Sequence, residues 1–233
     1  MSLKLSKPGQ SPFIKGVLFG PPKTGKTTLA TSGAGKTLLI LTEPEGDLSI
    51  KGRDNVDVLR PTGYEDIAEA IRFLQGRHDY ATVVLDSVTF TAELIGGDAL
   101  ASALLANKEA RQVYNRMGAA VNKIIRDLVN LPMNVIFITQ LKSYGEDDDL
   151  DPEEGEYPVS LAITPMIYKI LSPAVSFIGR TYKKRGVANG RKTVEYWVTF
   201  EDYGRSPAGS RVDLPSPVQS PTLPSLFAAE TKE

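Results

Sequence analysis

The chain contains no cysteine, a single histidine and no apolar run long enough to cross a membrane as a helix. The first absence excludes disulfides and thiolate metal sites. The second excludes a His-rich zinc centre. The one histidine, His78, stands just before an apolar run and reads as a loop residue rather than a catalyst. An excess of charge is missing too: 27 Lys and Arg against 28 Asp and Glu leave a net charge of −1. The protein as a whole therefore does not attract nucleic acid, and any such contact must come from a local basic patch. The N-terminal MSLKLSKPGQSP lacks the apolar core of a signal peptide, so a cytoplasmic protein with no membrane partner is expected.

What is present is an ordinary globular composition. At 233 residues, 41% hydrophobic and 24% charged, the chain is sized for one domain with a full core. It is organised around Gly20-Pro21-Pro22-Lys23-Thr24-Gly25-Lys26-Thr27, which fits the phosphate-binding pattern Gly-x4-Gly-Lys-Ser/Thr without a mismatch. Chance gives that pattern in about 1% of chains this long at average usage. The flanks make chance rarer still: Phe13 to Phe19 reads as a buried strand, and Thr28-Leu29-Ala30 continues into a helix.

This order has a physical logic. Glycines permit positive φ and close backbone approach. Loop amides and the helix N-terminus then aim positive partial charge at an anion. Lys26 is expected to reach the β- and γ-phosphates of a nucleotide, and the Thr27 hydroxyl to hold Mg²⁺. Gly20 to Thr28 form the nucleotide-binding set. Within it, Lys23 is either a second phosphate contact or a solvent-facing loop residue. A second Gly-Lys-Thr at Gly35-Lys36-Thr37 is a decoy, since Ala30 stands where the first Gly should be.

Further along, the pattern alternates strands and helices. Thr37 to Leu41, Thr82 to Leu85 and Val135 to Ile138 are continuous apolar runs, as expected of strands covered on both faces. Val56 to Leu59 is a shorter strand candidate. Glu65 to Gln75 and residues 91 to 130 are helical in character; the second stretch carries a stripe through Val113, Met117, Val121, Ile124, Ile125 and Leu128. The expected fold class is therefore α/β, with a mostly parallel central sheet flanked by helices.

After residue 140 the character changes. The run at 145–156 is acidic throughout and reads as a mobile loop. Ser172 to Tyr182 and Thr193 to Phe200 read as an antiparallel strand pair joined near Asn189-Gly190. Arg180, Lys183, Lys184, Arg185, Arg191 and Lys192 cluster there without an acid and form the DNA-binding candidate. The organisation expected is an arm at 1–12, a nucleotide-binding domain at 13–206 and a Pro- and Ser-rich tail at 207–233. Three readings of the tail's Leu226 and Phe227 stand side by side: docking on a neighbouring protomer, folding back on the chain's own core, or docking on a replication protein, since Ser225-Leu226-Phe227 resembles sliding-clamp peptides.

Hydrolysis needs more than a phosphate loop. Asp86 ends an apolar strand and supplies the carboxylate that Mg²⁺ requires. Glu43 and Glu45 end the strand after the loop helix, at the sheet edge where such folds bind ligands. Either could activate water. Gln140 ends another strand on the same edge and could sense the γ-phosphate.

The order of these features resembles the RecA-type ATPase core. VVLDS and VIFITQ are similar to its Walker B strand and the strand leading to its switch glutamine, and LILTEPEG resembles the segment carrying its catalytic glutamate. On that match Glu45, followed by Gly46, is the carry-over. In size and loop the chain looks most like compact phage ATPases of the Sak-type single-strand annealing and recombination group. The resemblance implies an Mg²⁺-dependent ATPase with ATP as substrate and Lys26, Glu45 and Gln140 as catalytic residues. It also implies single-stranded DNA binding, a homo-oligomer, a single-strand-binding or annealing protein as partner, and the host cytoplasm as location. A basic residue, Arg205 or one of the cluster at 183–185, would complete a neighbour's site in trans. A P-loop small-molecule kinase and a non-hydrolysing nucleotide-dependent adaptor are the alternatives.

Overall fold

The structure, a computed structural model, describes residues 13–105, 110–143, 159–188, 191–201 and 206–227. The arm at 1–12, the acidic run at 145–156, the Asn189-Gly190 turn and Arg205 lie outside the described residues. In chain order the elements are β1 (Lys15–Gly20), α1 (Lys26–Ala30), β2 (Lys36–Leu41), a short 3-10 helix (Gly46–Ile50), β3 (Val56–Leu59), α2 (Tyr64–Leu74), β4 (Tyr80–Asp86) and α3 (Val88–Leu105). There follow α4 (Ala110–Val129), β5 (Asn134–Ser143), β6 (Val159–Leu161), α5 (Pro165–Ala174), β7 (Phe177–Ala188), β8 (Arg191–Thr199), β9 (Gly209–Ser210), β10 (Val218–Gln219) and α6 (Leu223–Phe227).

The strands form one sheet in the order β10-β8-β7-β1-β5-β4-β2-β3. From β7 to β3 all neighbours are parallel. β8 and β10 continue the sheet antiparallel. This is the expected α/β architecture, with the antiparallel strands on the C-terminal side. β5 lies between the strand that leads into the glycine loop and the strand that ends in Asp86. Among the described residues no helix is long and apolar enough to cross a membrane.

Two apolar layers cover the sheet because successive strand residues point to opposite faces. Val17, Phe19, Val83, Leu85, Val135 and Phe137 pack under α2, α4 and α5 through Ile67, Ile71, Val121, Ile125, Ile167 and Leu171. Leu18, Leu39, Val84, Ile136 and Ile138 pack on the other face against Leu29 of α1 and Leu223 and Leu226 of α6.

Two expectations need correction. Ser172 to Ala174 belong to α5, not to a strand. The helix starts at Thr164, whose Oγ1 accepts from the Ile167 N–H at 3.3 Å, with Pro165 in the first turn. Thr-Pro ahead of an apolar stretch is a helix-start signal that the sequence reading passed over. The second correction concerns 207–233. β9 pairs with β7 and β10 with β8. Leu223 and Leu226 are buried, and the Phe227 ring lies 5.8 Å from that of Phe177. The prolines of this stretch oppose a long helix, but an edge strand needs only some of its N–H groups, so pairing survives them. The described residues up to 227 therefore pack on the domain, with Ala208, Leu223 and Leu226 in its core.

Candidate functional site

The glycine loop starts where β1 ends. Gly20 has φ 157°, and a Cβ there would lie 2.3 Å from the Thr181 carbonyl oxygen. Gly25 has φ 86° and immediately precedes α1. Both positions exclude a side chain, one by contact and the other by conformation. Lys23, also at positive φ, is exposed and faces solvent at the cleft. Inside the loop, Thr24 Oγ1 donates to the Pro21 carbonyl at 2.8 Å and lies 2.7 Å from Thr181 Oγ1. The loop is thus tied to β7.

Lys26 is buried, and its ammonium donates to the Gly20 and Pro21 carbonyls at 2.9 and 2.8 Å. A longer contact of 3.4 Å reaches Gln140 Oε1. Burial lowers the Lys26 pKa to about 8, against the opposing pull of Glu43 and Asp86; the charge of Lys183 pushes it further down.

The Thr27 hydroxyl donates to Asp86 Oδ2 at 2.7 Å. Asp86 is fully buried, and among the described residues its Oδ1 has no partner. Burial raises the Asp86 pKa to about 6, partly countered by the Thr27 hydrogen bond, while the nearby Glu43 charge raises it further. A buried, unpartnered carboxylate oxygen beside a hydroxyl is an oxygen donor set that suits Mg²⁺. Among the described residues no group of three or more His, Cys, Asp or Glu could hold a metal. A cation here would be held by Thr27 and Asp86 with phosphate oxygens completing the shell.

The two glutamates differ in their surroundings. Thr42 Oγ1 donates to the Ser87 carbonyl and accepts from the Ser87 N–H, both at 3.0 Å. This clamps the end of β2 to the end of β4 and sets Glu43 beside Asp86. Gln140 Nε2 donates to the Glu43 oxygens at 2.9 and 3.0 Å. Gln140 therefore bridges Lys26 and Glu43. Glu45 sits two residues further on with φ 58°, exposed, at the head of the 3-10 helix. It lines the same cleft but makes no contact with this cluster. The structure thus brings Glu43, and not the expected Glu45, together with Gln140. The cue for Glu43 was the position of Thr42, which bonds across to the Asp86–Ser87 end of β4.

The basic segment is divided between two faces. In the β7–β8 register Lys183 opposes Tyr196, and Lys184 opposes Glu195. Alternation puts Thr181, Lys183 and Arg185 on the face toward the loop. The other face carries Tyr182 stacked on Trp197 at 6.5 Å, with Lys184 Nζ 4.4 Å from the Trp197 ring centre. Arg180 is only 9% exposed, so it cannot be an open contact for a polymer. Lys184, Arg185 and Lys192 are exposed; the Arg191 side chain lies outside the description.

The loop, Glu43, Glu45, Thr181, Tyr196, Trp197 and Pro221 surround a cleft of about 720 Å³, large enough for a nucleotide. A glycine loop between a buried strand and a helix, beside an acid from another strand, defines a P-loop nucleotide-binding domain. Residues 13–212 match the AAA_24 family, described as an AAA domain, and the chain belongs to that family. No curated protein matches the chain. Among solved structures it is similar to the flagellar accessory protein FlaH from Methanocaldococcus jannaschii, at 12% identity and a TM-score of 0.42, over 88% of this chain and 84% of that one.

Proposed function

We propose that the protein hydrolyses ATP in this cleft, with Glu43 as the base. The observation that carries the reading is the continuous polar chain from Lys26 through Gln140 to Glu43, next to the Thr27–Asp86 pair. Loop amides and the Lys26 ammonium bind the phosphates. Thr27 and Asp86 would hold Mg²⁺, which would supply positive charge to offset that of the phosphate oxygens. Glu43 accepts a proton from water as its oxygen bonds to the γ-phosphorus. The bond to the bridging oxygen breaks, and its electron pair leaves with ADP. Gln140 holds the Glu43 carboxylate through both oxygens, so a shift of Gln140 toward a terminal phosphate would reorient the base. A kinase would need an acceptor in place of water, and the Glu43–Gln140 pair favours water.

We further propose that the turnover serves DNA recombination of the Sak type, with single-stranded DNA engaged by the exposed Lys184, Arg185 and Lys192. Stacked aromatics next to lysines suit single strands, which present both phosphates and base faces. The test is the rate of ATP hydrolysis with and without single-stranded DNA, with oligomer size measured in both states. Stimulation by DNA, absent in Lys26→Ala, is expected. A rate of zero at saturating ATP rules out the hydrolase reading; a rate indifferent to DNA rules out the recombination reading.

A further inference from the structure

Lys183 stands apart from its basic neighbours. Lys184 and Arg185 are exposed, whereas Lys183 is half-buried. It occupies the hairpin face that also carries Thr181, whose hydroxyl meets Thr24 of the loop at 2.7 Å. Its cross-strand partner is Tyr196. The Tyr196 ring lines the cleft, and a Cβ on Gly25 would come within 3.4 Å of it. The Lys183 ammonium lies 5.9 Å from the centre of that ring, and among the described residues it has no hydrogen-bond or ion-pair partner.

We propose that Lys183 contacts the phosphates of a nucleotide bound in the P-loop of its own chain. The proposal rests on the nucleotide reading above and adds a second lysine to it. Electrostatics agree, because the Lys183 charge is felt at Lys26 and disfavours its protonated form. The charges of Lys183 and Lys26 repel each other until an anion is bound nearby. A polyphosphate removes that repulsion, and a lysine acts on it as a point charge with little demand on geometry. Lys184 lies on the opposite face of the hairpin, over the Trp197 ring.

The test compares Lys183→Met, Lys183→Arg and, as control, Lys169→Met on the exposed side of α5, for binding of ADP and of a non-hydrolysable ATP analogue, measured by calorimetry with Mg²⁺. Trp197, the only tryptophan of the chain, gives a second optical readout. Lys183→Met should weaken the triphosphate analogue about 10- to 100-fold, as expected for loss of a charged contact. Lys183→Arg should recover most of that loss, and Lys169→Met should bind like the unaltered protein. All three should melt within a few degrees of it, since the substituted side chains are not core. Unchanged affinity in Lys183→Met overturns the proposal, as does equal weakening by Lys169→Met. Restoration of binding on mixing Lys183→Met with Lys26→Ala would mean that Lys183 acts across protomers, which overturns the assignment to its own chain. If the unaltered protein binds no nucleotide, it is the P-loop reading that fails.

Discussion

Gln140 Nε2 lies 2.9 and 3.0 Å from the two carboxylate oxygens of Glu43, although the residues are 97 positions apart. The contact joins Glu43, just past β2, to Gln140 within β5, with β4 and its Asp86 between the two strands. A carboxylate held through both oxygens, next to a buried acid and a buried lysine, is oriented for one task. Glu43→Gln should keep nucleotide affinity and lower turnover by about 100-fold or more, the usual scale for loss of a general base. Glu45→Gln should change turnover only a few-fold. Steady-state hydrolysis and calorimetry on both variants decide it. The reverse pattern would restore Glu45 and remove Glu43.

The loop and β7 form a single packed unit, and Gly20 is where this can be tested. A Cβ at that position meets the Thr181 backbone oxygen at 2.3 Å, and backbone atoms cannot rotate away. Gly20→Ala should cost roughly 2–4 kcal/mol of stability through overpacking and strain. Thr181→Val removes the hydroxyl that meets Thr24 and should cost about 1 kcal/mol. Urea unfolding measures both. A Gly20→Ala protein as stable as the original would show that β7 is free to move away from the loop.

How far this was legible in sequence depends on the range of the interaction. The glycine loop, Asp86 and the three apolar strands follow from local pattern alone, and the structure places them as expected. Glu43 and Glu45 could not be separated locally, because both follow β2 within a few residues. What separates them is the hydrogen bond from Gln140 and the Thr42–Ser87 clamp, both non-local. The basic cluster likewise looked like one patch, since spacing along a strand does not show which face is covered. The pairing of Lys183 with Tyr196 and the burial of Arg180 depend on the β7–β8 register. The two-residue strands β9 and β10 have almost no pattern to read; they exist because neighbouring edges accept them.

The buried lysine predicts a pH effect with a definite sign. Burial lowers the Lys26 pKa from 10.5 to about 8. Between those values the unfolded chain binds the proton and the folded chain does not. Stability therefore rises with pH across that window, and below about pH 8 the folded state bears the full cost of burying the charge. Lys26→Met removes this contribution. Chemical unfolding of both proteins at pH 7 and pH 10 should show the stability advantage of Lys26→Met shrinking as pH rises. An advantage that is constant with pH would mean that Lys26 is fully charged in the fold throughout.

The last prediction concerns the C-terminal stretch, where docking on a neighbour and folding back on the core make opposite claims. Leu223 and Leu226 are 4% and 0% exposed and pack with Leu29, Leu18 and Ile136. The Leu223 N–H donates to Ser32 Oγ at 2.8 Å, fixing α6 beside α1. β10 adds Val218 opposite Val198 at the sheet edge. These contacts make the stretch the cover of the second apolar layer, directly behind the loop helix. Leu226→Ala should therefore cost about 2–5 kcal/mol, the range for a fully buried leucine. Leu48→Ala, at a side chain that is 64% exposed, should change stability by less than about 0.5 kcal/mol. Deleting residues 216–233 should lower the melting temperature sharply and weaken nucleotide binding together with it, because α1 loses its support. A truncated protein that melts like the full chain, binds nucleotide and runs as a smaller species in light scattering would mean that these leucines serve a neighbouring protomer instead.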